Sequence, residues 1–146
     1  MKDPALLAIE IFDEVAERAG DKGSEVRARL RELPTMMRLY GMSTSIAFYL
    51  SKAKTSGEEA GQGGSSSSQE SSESTGTRES AHAIVLDAII RFLKEFPALG
   101  YKGGDDHKQL LRWIVEEGKD NDLVTFQLLM EFITYLKRLA EAEWRE

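Results

Sequence analysis

The sequence predicts an all-α protein, a single helical bundle of about five to six helices spanning residues 1–146 and interrupted by a long flexible internal linker. Three observations predict it. Outside one segment the apolar residues recur every three or four positions, and no stretch sustains the every-second-residue alternation of a strand. A composition of 41% hydrophobic and 30% charged residues over 146 positions suffices for one compact core. The exception, TSGEEAGQGGSSSSQESSESTGTRES at 55–80, is almost wholly Ser, Gly, Glu, Gln and Thr. Such a segment buries too little apolar area to offset its ordering entropy, so it reads as the linker, with connection as its expected role.

The first helix, about 3–20, opens with Asp3 as N-cap and Pro4 at the first helical position, places Leu7, Ile11 and Val15 on one face, and stops at Gly20. The second, about 23–40, has Ser24 as its expected N-cap and Val26, Leu30 and Leu33 as its apolar face. Pro34 should kink it or start a new helix, and Gly41 suits a positive-φ C-terminal cap. A third, about 43–54, buries Ile46, Ala47 and Leu50. After the linker, 81–96 carries Val85, Ile89, Leu93 and Phe96 in one stripe with Leu86 and Ile90 beside it, up to Pro97. A short helix at 106–118 presents Leu110, Trp113 and Ile114. Asp122 caps the last, 122–144, whose core stripe is Phe126, Leu129, Ile133, Leu136 and Ala140. Leu128, Phe132, Tyr135 and Leu139 add apolar surface on its other sides. Such a helix is central to its bundle or covered by another subunit.

The net charge of −6 argues against nucleic acid until it is divided along the chain. Residues 55–80 carry a balance of −4 and residues 81–146 one of −3, whereas residues 22–54 hold seven basic side chains against only Glu25 and Glu32. On a helix Arg27, Arg31 and Arg38 fall within about 40° of one another, a stripe about 16 Å long that could follow a run of phosphates. Arg29 projects from another side. Lys52 and Lys54 close the third helix, where the dipole also favours cations. The competing reading is that these arginines pair with acids on neighbouring helices.

Other chemistry finds little support. There is no cysteine, so no disulfide, thiolate metal site or cysteine nucleophile. The acidic, interrupted N-terminus does not resemble a signal peptide, and no apolar run approaches the roughly 20 residues of a membrane span, which suits a soluble, intracellular protein. The sequence lacks GxSxG, GxxxxGK[ST] and HExxH. His82 and His107 start separate helices without a partner at metal-binding spacing, and both read as surface histidines. Asp105, Asp106 and His107 could in principle hold a cation for a metal-dependent nuclease, but a solvated helix start accounts for them. No catalytic residue, metal or cofactor is expected.

The block EVRARLRELPTMMRLYGMSTSIAFYLSKA, at 25–53, resembles the small subunit of the type III-B CRISPR effector, the Cmr or RAMP-module complex, through Leu33, Pro34, Gly41, Ala47, Phe48 and Leu50. FITYLKRLAEAEW, from Phe132 to Trp144, resembles that family's closing helix at Tyr135, Leu136, Lys137 and Arg138. The sequence departs at Ser43 and Thr44, where the family often has glycine and glutamine, and in its longer linker. The resemblance implies a non-catalytic, cytoplasmic antiviral-defence protein that stacks in several copies as a filament beside the backbone and large subunits. It further implies contact with guide and target RNA, and adds Lys137 and Arg138 to Arg27, Arg31, Arg38, Lys52 and Lys54 as candidate phosphate-binding residues. A purely structural protein–protein module without RNA contact is the alternative.

Overall fold

The computed structural model describes residues 3–62 and 80–145, and the described residues form six α-helices. They are α1 (Pro4–Ala19), α2 (Gly23–Tyr40), α3 (Met42–Gln62), α4 (Ala81–Glu95), α5 (His107–Glu116) and α6 (Leu123–Glu143). Short 3-10 turns occupy Gly20–Lys22, Pro97–Leu99 and Lys119–Asn121. Among the described residues there is no strand, and no helix is long and apolar enough to cross a membrane.

Helix starts follow local hydrogen-bond chemistry. Asp3 Oδ1 accepts from the Leu6 amide at 2.9 Å, Ser80 Oγ from Ala83 at 3.1 Å, and Asp106 from Lys108 at 3.1 Å. Asp122 Oδ1 accepts from Val124 at 3.1 Å. Each satisfies a backbone donor that the first turn leaves without a helical partner. Ser24 does not cap α2: the Gly20–Lys22 turn runs directly into a helix whose first residue is Gly23, leaving no separate start to cap. Pro34 is buried inside α2 and starts no new helix, since α2 continues to Tyr40. At Gly41 φ is +92° and ψ 169°, so the chain reverses through a residue without a Cβ and extends into α3.

The third helix corrects two expectations. It runs to Gln62 and not to residue 54, the extension containing the helix formers Glu58, Glu59 and Ala60. The rest of the expected linker, 63–79, lies outside the described residues. Its buried face is Met42, Ser45, Ile46 and Tyr49, with Ala47 and Leu50 only half-buried. Tyr49 can take the inner position because its hydroxyl lies 2.7 Å from the Arg29 carbonyl oxygen and 3.0 Å from Glu32 Oε2.

α6 is the central helix. It packs between α1 and α2, and its fully buried Phe132 stacks on Phe92 of α4 with ring centroids 4.3 Å apart. Leu129, Ile133, Leu136 and Ala140 are buried as their spacing required, while Phe126 and Leu128 are half-buried. α4 runs antiparallel to α1, as the pairs Arg18–Asp87 (2.6 Å) and Arg91–Glu14 show. At the C-terminal end of α6, Trp144 tilts against Phe12 at 5.5 Å and covers Gly23.

A Cβ at Gly23 would fall inside the Trp144 ring. Gly23→Ala is therefore expected to displace that ring from Phe12 and to cost about 1–3 kcal/mol, typical of forced overpacking. Thermal unfolding followed by circular dichroism checks this, and a melting temperature equal to wild type would contradict the packing described.

Candidate nucleic-acid interface

The three arginines of the α2 stripe meet three different environments. Arg27 is buried, and its guanidinium donates to the Trp144 carbonyl oxygen, so it acts as a tie between α2 and the end of α6. It does not share a surface with the other two, because the last turn of α6 crosses over it. Arg31 is exposed and donates from Nε to Glu141 Oε2 at 3.0 Å. Arg38, in the last turn of α2, is exposed and shares a shallow concavity with Met130, Glu131, Thr134, Tyr135 and Arg138 of α6.

α6 thus replaces the lost member of the stripe with cations of its own. Arg31, Lys137 and Arg138 all act on Glu141: the Arg31 hydrogen bond, with the two neighbouring charges, holds its carboxyl below the usual carboxylate range. The result is one α2–α6 face carrying Arg31, Arg38, Lys137 and Arg138, with Glu131 and Glu141 as its acids. The Arg31–Glu141 pair is solvated, with side chains 54% and 31% exposed, and so contributes little to stability. A phosphate can compete for Arg31 at little cost.

Lys52 is not on this face. Its Nζ lies 5.4 Å from the centroid of the Phe48 ring on α3. Lys54 falls in α3, but its side chain lies outside the described residues. Around Lys52 is a group that periodicity did not single out. His82 is half-buried, edge-on to Tyr49 at 4.8 Å and to Phe48 at 6.4 Å, with its Nε2 3.3 Å from Arg29 Nη1. A guanidinium can only donate, so His82 Nε2 accepts and the ring is neutral with its proton on Nδ1. The surface position expected for His82 is thereby corrected. The missed signal was its own spacing: His82 and Leu86 lie one turn apart, on the side of α4 that faces the bundle.

His107 is likewise half-buried, its Nε2 2.6 Å from Asp87 Oδ1, while Arg18 holds the other carboxylate oxygen at 2.6 Å. Burial alone would raise the Asp87 carboxyl, but these two hydrogen bonds outweigh it and hold the group below its ordinary value. Asp105 pairs with Lys94, and Asp106 caps α5. The trio suggested for a cation is thus divided among three structural contacts, and the described residues contain no group of three or more side chains placed to hold a metal ion.

A model of the family described as CRISPR-associated protein (Cas_Cmr5) matches residues 6–143, which spans both faces described above. No curated protein and no solved structure matches the chain significantly.

Burial, and after it the positive charge of Arg29, pushes the His82 imidazole below its ordinary value of 6.5. The unfolded chain then binds more protons than the folded one around that value, so stability is full above it and falls as pH drops through the folded value. His82→Gln should flatten the decline in melting temperature between pH 7 and 5. An unchanged decline would mean that His82 is not held neutral by the fold.

Proposed function

The chain belongs to the Cas_Cmr5 family of CRISPR-associated proteins, and from that premise we propose how it serves as the small subunit of a type III-B Cmr effector complex. The other subunits of that complex are its partners. In our reading the chain has no catalytic role of its own. It contacts guide or target RNA through backbone phosphates and stacks in several copies beside the backbone and large subunits.

The observation that carries the RNA reading is the convergence of Arg31, Arg38, Lys137 and Arg138 on one α2–α6 face of an otherwise acidic protein. Four cations at the surface of two rigid helices supply positive charge without donor–acceptor patterns that would distinguish bases. Such a face positions a strand and leaves sequence selection to guide pairing. Each copy contributes only a few phosphate contacts, which weaken as salt rises, and repetition along a filament would supply avidity.

Stacking draws support from one end of the bundle. Leu39 and Tyr40 on the last turn of α2 and Leu123 and Val124 on the first turn of α6 are 60–67% exposed. Asp120 joins these ends by accepting from the Ser43 amide at 2.8 Å and from the Ser43 hydroxyl. Four large apolar side chains in solvent at one end suit a protein contact.

Two experiments follow. In a reconstituted effector, Arg38→Glu with Arg138→Glu should leave assembly intact, weaken target RNA retention by tenfold or more, and reduce the salt slope of binding by about 1–2. Unchanged retention would remove RNA from this face. Leu123→Asp with Tyr40→Lys should leave the melting temperature of the isolated chain within a few degrees, because these side chains are exposed, Asp suits the N-terminus of α6 and Lys the C-terminus of α2. It should lower the number of copies incorporated, as counted by native mass spectrometry. Full incorporation would assign the stacking contact elsewhere.

A further inference from the structure

Phe48 is the most exposed phenylalanine of the described residues. Phe92 and Phe132 are fully buried, and Phe12 and Phe96 nearly so, but Phe48 is 40% exposed on α3. Its surroundings are not those of a protein-docking patch. On its own helix the exposed neighbours one turn away are Thr44 and Lys52. Lys52 lies over its ring, His82 meets it edge-on, and Arg29 stands behind His82. The four apolar side chains at the far ends of α2 and α6 form a cluster of like kind, whereas Phe48 is the one large exposed apolar side chain on the described part of α3, beside Lys52 and Thr44.

We propose that Phe48, with Lys52, forms a stacking site for one unpaired nucleotide of single-stranded RNA. This rests on the reading that the subunit contacts RNA, and extends it from phosphates to a base. An exposed aromatic ring offers a surface on which any base can stack, but only a base outside a duplex can reach it. Lys52 reaches over the ring on a flexible stem, so its ammonium can move to the phosphate of the stacked nucleotide while the base takes its place. Neutral His82, fixed by Arg29 and by the buried Tyr49 ring, supports Phe48 edge-on and limits its rotation.

Geometry separates this site from the phosphate-facing surface. Arg29 and Arg31 are two residues apart on α2, about 200° around the helix, so the stacking site and the α2–α6 face lie on opposite sides of α2. A nucleotide on Phe48 therefore does not belong to the short stretch of strand that Arg31 and Arg38 contact on the same copy. The two surfaces can be tested independently.

The test uses reconstituted effector complexes carrying the full chain as wild type, Phe48→Leu, Phe48→Tyr or Lys52→Ala. Each is titrated with a single-stranded target RNA and with the same RNA bearing abasic positions in its unpaired nucleotides. Phe48→Leu keeps an apolar side chain but loses the ring, and should weaken binding roughly 5- to 150-fold, the range of one base–aromatic stack. Phe48→Tyr should stay within about twofold of wild type, and Lys52→Ala should weaken binding severalfold. On abasic RNA, Phe48→Leu should have no further effect. Wild-type affinity in Phe48→Leu overturns the proposal, as does an equal loss on intact and abasic RNA. Loss of the subunit from the complex on Phe48→Leu would mark Phe48 as a protein contact and also overturn it. If the Arg38→Glu, Arg138→Glu complex loses RNA while Phe48→Leu does not, the phosphate reading stands and this one falls.

Discussion

α6 is held by α1 on one side and α2 on the other, with Phe132 stacked on Phe92 of α4 behind it. The remaining arrangement depends on this threefold burial. A helix enclosed in that way must carry apolar residues on several faces, which is why Leu128, Phe132 and Leu139 depart from a single stripe. Apart from the buried Thr125, its polar residues lie where its neighbours leave it open. Lys137, Arg138 and Glu141 are among them, and so meet Arg31 and Arg38 on the antiparallel α2. The basic face is a consequence of core packing: two helices that share a buried seam also share its solvent edge.

The same packing removes Arg27 from that edge. Near the end of α6 the chain passes over the first turns of α2, with Gly23 making room for Trp144 and Arg27 donating to its carbonyl oxygen. Gly23 and Arg27 are one helical turn apart, so the residue lacking a side chain and the buried guanidinium are parts of one contact. A charge-assisted hydrogen bond to a helix's terminal carbonyl opposes fraying there and favours a cation at the negative end of the dipole. Arg27 is thus fixed by the helix it ties down, and Arg38, at the other end of α2, is left free to meet solvent.

Much of this was legible in the sequence, and the gaps have physical causes. Capping residues and apolar periodicity are local, so Asp3, Asp106 and Asp122 marked helix starts, and the faces of α1, α4 and α6 could be read directly. Charge segmentation pointed to α2 although the total is acidic. Periodicity reports only angles about one axis, so it placed Arg27 with Arg31 and could not see a second helix crossing over Arg27. For the same reason it grouped Lys52 with the α2 arginines by proximity in sequence, when α3 carries it to the far side. His82 was misjudged, and Tyr49 was not singled out, because their burial depends on partners 53 and 20 residues away, Arg29 in both cases.

The family match covers residues 6–143 and fixes the assembly to which the chain belongs, and the division of charge along the chain underlies the role proposed for it there. An RNA-guided complex must hold a strand whose sequence changes with every guide, so its contacts have to be indifferent to base identity. Phosphates on one side of α2 and the π-face of a base on the other are the two features that every nucleotide shares. Arg31 and Arg38 are suited to the first, and Phe48 to the second. If the subunit contacts RNA as proposed, the acidity elsewhere in the chain would serve specificity: with a net charge of −6, only the surfaces where cations are gathered would attract a polyanion.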